Sequence, residues 1–277
     1  MSKLVGSTVL IKGAGEVASG VAHHLHRNHF RVCLTEVAQP LAVSRGVAFS
    51  EAVFDGSKTI EGVTAELTAK SIEAINQVWT RGNIPLVVDP TASIVGQLRP
   101  EVLIDAIMGK RNTGTRLGDA PLVIGLGTGF YAGRDVHAVV ETSHSHSLGK
   151  VILEGEAEAN TGMPIVIGGL AKERVVWAPE AGTFTSEMEI GGSVAAGQTV
   201  GWINDRPLAA PLAGMLRGLI RNGVRVRRGE KLIEVDPVND PAICLTIRDK
   251  MRVIAAGVLE AIEVVPGSRL HGEAAAC

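Results

Sequence analysis

Val9-Leu10-Ile11-Lys12-Gly13-Ala14-Gly15-Glu16-Val17-Ala18-Ser19-Gly20 is the stretch that decides how the first half of this chain is read. A run of strand character enters Gly13-x-Gly15-x-x-Ala18, and apolar residues then fall at 17, 18, 21, 22 and 25, the spacing of an amphipathic helix. The helix ends near Asn28, and Arg31-Val32-Cys33-Leu34-Thr35-Glu36 reads as a second buried strand closing on an acid. Together they make a βαβ unit of about thirty residues, the length a parallel crossover needs.

The glycine pattern has a physical reading. Gly13 permits a tight turn, Gly15 a close backbone approach, and small Ala18 lets the helix pack on the strand. Exposed amides at the helix start favour an anion, so Lys12, Gly13, Gly15, Glu16, Ser19 and Gly20 are candidate ligand residues. Glu36 stands where an acid commonly accepts from a ribose 2′-hydroxyl and repels a 2′-phosphate, which favours NAD over NADP. Glu16 conflicts with that reading, because its carboxylate adjoins the pyrophosphate position. Either a cation such as Lys12 compensates it, or Glu16 serves only the helix macrodipole.

Working outward, Ser71 to Arg81 has helical spacing, and short strands are predicted at Ile84 to Val88, Val102 to Asp105 and Pro121 to Gly125. Ligands collect beyond the carboxyl ends of strands in open α/β sheets, so Glu36, Asp89, Asp105, Gly125, Gly127 and Gly129 are expected to ring one crevice. The alternative is that Asp and Gly merely punctuate strands. Lys110-Arg111-Asn112-Thr113-Gly114-Thr115 is a second candidate anion site or a solvated loop. His137, Glu141, His144 and His146 form a candidate site for Zn or a related divalent ion, against the plainer reading of a polar strand end. His23, His24 and His26 read as the solvent face of the first helix, and Cys33 as core.

The second half carries a repeat. Ala178-Pro179-Glu180-Ala181-Gly182 recurs 32 residues later as Ala210-Pro211-Leu212-Ala213-Gly214, and Gly191, Val194, Gly197 and Val200 recur as Gly223, Val226, Gly229 and Leu232. Two such copies interleaved predict a small all-β sandwich. It resembles the biotinyl/lipoyl carrier fold, but the hairpin Ile203-Asn204-Asp205-Arg206-Pro207-Leu208 holds no lysine to modify. Arg221, Arg225, Arg227 and Arg228 make its second copy basic, an interaction surface or a solvated edge. Ile243 to Ile247 looks like a strand and Lys250 to Val264 a helix.

The expected fold class is α/β: a Rossmann-like parallel sheet domain over 1–172 and a biotinyl/lipoyl-like sandwich without a carrier lysine over 173–240. A strand and helix over 241–265 are expected to pack back on the body, with a tail over 266–277. The chain has 277 residues, 45% apolar but only 3% aromatic, and a net charge of -2. Few aromatics and no basic excess exclude a nucleic-acid platform or an anionic membrane surface as the expected partner. No secretory apolar core precedes the first strand, so a cytoplasmic location is expected. Three scattered cysteines, Cys33, Cys244 and Cys277, give neither a disulfide framework nor a Cys-x-x-Cys site.

The combination Ile11 to Glu16 with Ala18 to His23, Thr35 to Val43, Lys110 to Asn112, Val123 to Gly127 and Asp135 to Thr142 resembles the YqeB family. These are accessory proteins of the selenium-dependent molybdenum hydroxylase system, similar in part to xanthine dehydrogenase accessory proteins. The resemblance implies a maturation role for a molybdenum hydroxylase client enzyme, handling a molybdopterin-type cofactor or its sulfur or selenium ligand. Cys244 and Cys277 would then be the candidate carriers. The small anionic ligand would lie on the Gly13 to Gly20 turn and the Lys110 to Thr115 loop. Two rivals are an NAD-dependent oxidoreductase with His137 as acid or base and a non-catalytic scaffold that docks a partner enzyme. Whether the chain forms a homo-oligomer is left open.

Overall fold

The computed structural model describes residues 6–159, 162, 164, 166–238 and 240–265. Strand β1 (Thr8–Lys12), helix α1 (Glu16–Arg27) and strand β2 (Arg31–Glu36) form the opening crossover. Helix α1 starts from extended Gly15 and stops at Asn28, whose side chain returns to the His24 carbonyl at 2.8 Å. There follow α2 (Ala52–Asp55), β3 (Ser57–Ile60), β4 (Val63–Thr68), α3 (Ile72–Thr80), β5 (Ile84–Val88), α4 (Val95–Leu98), β6 (Val102–Asp105) and β7 (Leu122–Leu126). Short strands β8 (Tyr131–Ala132), β9 (Ala138–Val140), β10 (Val151–Ile152) and β11 (Gly155–Glu156) complete this part. The Ser71 side chain accepts from the Ala74 amide to cap α3.

Nine of these strands form one sheet in the order β10-β9-β7-β6-β1-β2-β5-β4-β3. The seven inner strands run parallel, while β10 and β3 pair antiparallel at the two edges. Central strands are buried on both faces, which is why they read as unbroken aliphatic runs. Val9 and Ile11 join the core beneath α1, whereas Leu10 and Cys33 join a second core on the opposite face.

The second unit comprises β12 (Val175–Trp177), β13 (Gly182–Thr185), β14 (Ser193–Val194), β15 (Thr199–Ile203), β16 (Arg206–Ala209), β17 (Gly214–Leu219), β18 (Arg225–Val226) and β19 (Lys231–Asp236). Its two four-stranded sheets run β12-β19-β17-β14 and β16-β15-β13-β18. A shift of 32 residues carries the starts of β13, β14 and β15 onto those of β17, β18 and β19, so each sheet mixes strands of both copies. Phe184, Val200, Ile203, Leu216, Leu232 and Val235 form its core.

The chain then returns to the large sheet. Ile243 to Ile247 is not a strand: Pro241–Cys244 is a 3-10 turn capped by Asp240, because proline supplies no ladder amide. Helix α5 (Asp249–Val264) packs on α1, with Met251, Ile254, Val258 and Ile262 completing the first core. A side chain at Gly20 would meet the Met251 Cβ at 2.8 Å, so this glycine serves helix packing. The tail 266–277, with Cys277, lies outside the described residues.

The expected fold class is therefore corrected. In place of a Rossmann-like parallel sheet beside a biotinyl/lipoyl-like sandwich, the molecule is a mixed α/β fold on one large sheet, closed at both edges by antiparallel strands and covered by a helix from beyond the second unit. A βαβ signature reports one local crossover and cannot report what is added at the sheet edges. No helix among the described residues is long and apolar enough to cross a membrane.

Candidate functional site

The carboxyl ends of β1, β2 and β5, the start of α1 and the segments after β2 and β6 enclose a cavity of about 470 Å³. Lys12, Gly13, Gly15, Glu16, Glu36 and Asp89, all expected from sequence, line it together. Val17, Val37, Pro40, Leu41, Ile107 and Met108 supply apolar walls, and Gln39 and Ser50 further polar groups.

Gly13 and Gly15 differ in what they need. Gly13 has φ +95, and a Cβ there would meet the Ala106 carbonyl oxygen at 3.0 Å. Gly15 has ordinary extended backbone and nothing within 4 Å of its missing side chain, so the space it leaves belongs to the cavity. Glu36 spans the turn: Oε2 accepts from the Ala14 amide at 2.8 Å and Oε1 from the Val37 amide at 2.7 Å. Burial pushes its carboxyl above the ordinary value, and the two amides offset only part of that.

The cation beside the turn is not spent on Glu16. Lys12, 7% exposed, donates to Thr115 Oγ1 at 2.6 Å and lies 3.2 Å from Asp105 Oδ2. Thr115 in turn donates to Asp105 at 2.6 Å, so Asp105 stands behind Lys12 instead of on the cavity wall. Glu16 is compensated from the second half of the chain, by Arg217 Nη2 at 3.2 Å and Arg248 Nε at 3.8 Å from Oε1. Sequence reading missed both arginines, although Arg217 was signalled as a lone charge within the apolar run Gly214–Leu219. Burial acts to raise the Asp89 carboxyl, but Lys70 at 2.9 Å and the Ile94 and Ser93 contacts hold it below its ordinary value.

Other expected residues lie elsewhere. Ser19 is fully buried and bridges the Ala14 carbonyl and the Phe49 amide. Lys110, Arg111 and Asn112 are off the cavity: Asn112 accepts from the Gly114 and Thr115 amides and shapes its own loop. Gly125 and Gly127 accommodate Phe130 and Thr142, where any side chain would collide. The metal quartet His137, Glu141, His144 and His146 is also corrected, since among the described residues no three His, Cys, Asp or Glu side chains converge to hold an ion. Glu141 is buried and accepts from the amides of Thr142, Ser143 and Glu158, which leaves its carboxylate committed to backbone. His137 Nδ1 accepts from the Val123 amide at 2.9 Å and does not line the cavity. Cys244 is buried, and burial raises its thiol, which opposes a reactive thiolate. Arg221 is no free basic edge: it pairs with Asp55 and Glu51 and ties the second unit to the first.

No family model matches the chain. Similar solved structures are the ectoine utilization protein EutE (DoeB) from Ruegeria pomeroyi, with 13% identity and a TM-score of 0.24 over 83% of this chain and 85% of that one. Another is a succinylglutamate desuccinylase/aspartoacylase from Rhodobacter sphaeroides, with 16% identity and a TM-score of 0.26 over the same shares. Superpositions this loose say nothing of the chemistry of this cavity. The expected roles are nevertheless corrected: nothing among the comparisons supports molybdenum or selenium handling or NAD-dependent oxidation. The separation of His137 and Cys244 from the cavity agrees with that correction.

In sequence, 254 residues are 46% identical to the uncharacterized protein YqeB of Escherichia coli (strain K12), covering 92% of this chain and 47% of that protein. Across those residues the chain is similar to YqeB, and it spans about half the length of that curated relative.

Proposed function

We propose that the chain binds a small hydroxyl-bearing anion in the strand-end cavity. The observation that carries this reading is the convergence of four complementary features on one cavity: the open face of Gly15, the first turn of α1, Lys12 and the Glu36 carboxylate. The first-turn amides of a helix lack intrahelical acceptors and favour negative charge. Lys12 has three donor hydrogens, of which Thr115 and Asp105 take two. Each Glu36 oxygen accepts one amide and keeps a lone pair for a ligand hydroxyl. Ser50 Oγ, on the same cavity and buried, has no hydrogen-bond partner among the described residues. The apolar walls suit the body of a metabolite-sized molecule.

Isothermal titration calorimetry with ribose 5-phosphate, ribose and inorganic phosphate as probes tests this. Ribose 5-phosphate is expected to bind more tightly than either fragment, and Gly15→Glu to abolish its binding by filling the close-approach position. No heat from any probe, or binding unaltered in Gly15→Glu, overturns the proposal.

A further inference from the structure

We infer that Arg217 and Arg248 set the charge of ligand the cavity accepts, by neutralising the Glu16 carboxylate where it stands beside the α1 amides; this rests on the anionic reading above. Left alone, a carboxylate at the first position of α1 would repel an anion seated on the same turn. Two guanidinium groups share its Oε1 instead. Arg248 is held by Glu234, whose Oε1 lies 2.6 Å from Arg248 Nη2.

Arg217 is the more informative of the two. Its side chain is 0% exposed, and its Nε and Nη1 find no partner among the described residues. A buried guanidinium with two unmet donors is a poor stabilising device. It is also delivered by a backbone irregularity: Leu216 pairs with Val235 and Gly218 with Glu234, leaving Arg217 as the extra residue of a bulge in β17. Bulges re-aim single side chains, often beside functional sites. Here the re-aimed group reaches across 201 residues of sequence to Glu16, on the cavity wall.

The test measures ribose 5-phosphate and uncharged ribose against the wild type, Arg217→Met, Arg217→Lys, Glu16→Gln and the Glu16→Gln/Arg217→Met double variant. Arg217→Met is expected to weaken the phosphate probe about tenfold and ribose less than twofold, Arg217→Lys to retain most affinity, and the double variant to recover to within about threefold of wild type. Loss on both probes alike, or no recovery in the double variant, overturns the inference. If Arg217→Met does not fold, Glu16→Gln decides alone: it should tighten ribose 5-phosphate several-fold with ribose unchanged, and equal or weaker phosphate binding overturns the inference. Wild-type protein silent to ribose 5-phosphate ends the anionic reading and this inference with it. Wild-type binding that none of these variants alters ends this inference alone.

Discussion

Glu36 holds Ala14 across the glycine turn, its Oε2 accepting the Ala14 amide at 2.8 Å from the far end of the neighbouring strand. The acid that sequence spacing assigns to a ligand is thus first a clamp on the turn that shapes the cavity. Glu36→Ala leaves that amide without its acceptor and should cost about 1–3 kcal/mol in urea unfolding.

The same residue gives a pH signature. Burial raises the folded-state Glu36 carboxyl above its ordinary value. Between the two values the native state binds more protons than the unfolded chain, so stability falls as pH rises through that window and is level above it. Glu36→Gln should remove this contribution. An unaltered pH slope just above the ordinary glutamate value of about 4.3 in the variant would count against the assignment.

Gly13 and Gly15 should separate stability from binding. Gly13→Ala meets both a positive φ and the Ala106 carbonyl, and is expected to cost at least about 1–2 kcal/mol. Gly15→Ala has room and an allowed backbone, so its melting temperature should stay near wild type while ribose 5-phosphate binding weakens. Equal melting losses in the two variants would contradict the geometry.

Glu234 should dominate the acid limb of stability. Burial acts to raise its carboxyl, but Lys231, Arg248 and Arg174 together hold it well below the usual carboxylate range. For a depressed acid the stabilisation is complete above the ordinary glutamate value of about 4.3 and is lost as pH falls toward the folded value. Glu234→Gln leaves buried cations uncompensated and should cost about 3–5 kcal/mol near neutrality. Its melting temperature should also vary less than wild type below about pH 4.

Gly257 reverses helix propensity. Alanine is worth up to about 1 kcal/mol over glycine in an exposed helix, yet a Cβ at Gly257 would stand 2.0 Å from the Gly149 carbonyl oxygen. Gly257→Ala is expected to destabilise by about 1–3 kcal/mol, and a stabilised variant in thermal unfolding would show that α5 can move away from this loop.

What was legible in the sequence follows the range of the forces. The turn from Lys12 to Gly20 and the strands ending at Glu36 and Asp105 were readable because period and glycine chemistry act over a few residues. The 32-residue shift was readable because both copies solve the same turn geometry. Lys12, Glu16, Glu36 and Asp89 do share a cavity, whereas Lys110 to Asn112 and the histidines do not, since loop composition carries no direction. The antiparallel edges β3 and β10 escaped notice because neither is long enough to show alternation. The Glu16 compensation escaped notice because its partner is 201 residues away and is aimed by a bulge, which leaves no periodic trace.

The packing of α5 on α1 bears on how the molecule is made. The inward face of α1, with Ala18, Val21, Ala22 and Leu25, shares its core with Ile247 to Ile262. All eight strands of the antiparallel unit precede that cover in the chain and are translated before it. The larger, earlier-made sheet therefore waits for its lid until the whole second unit has been translated. Nascent chains halted before residue 247 present an unsealed aliphatic surface to chaperones and proteases.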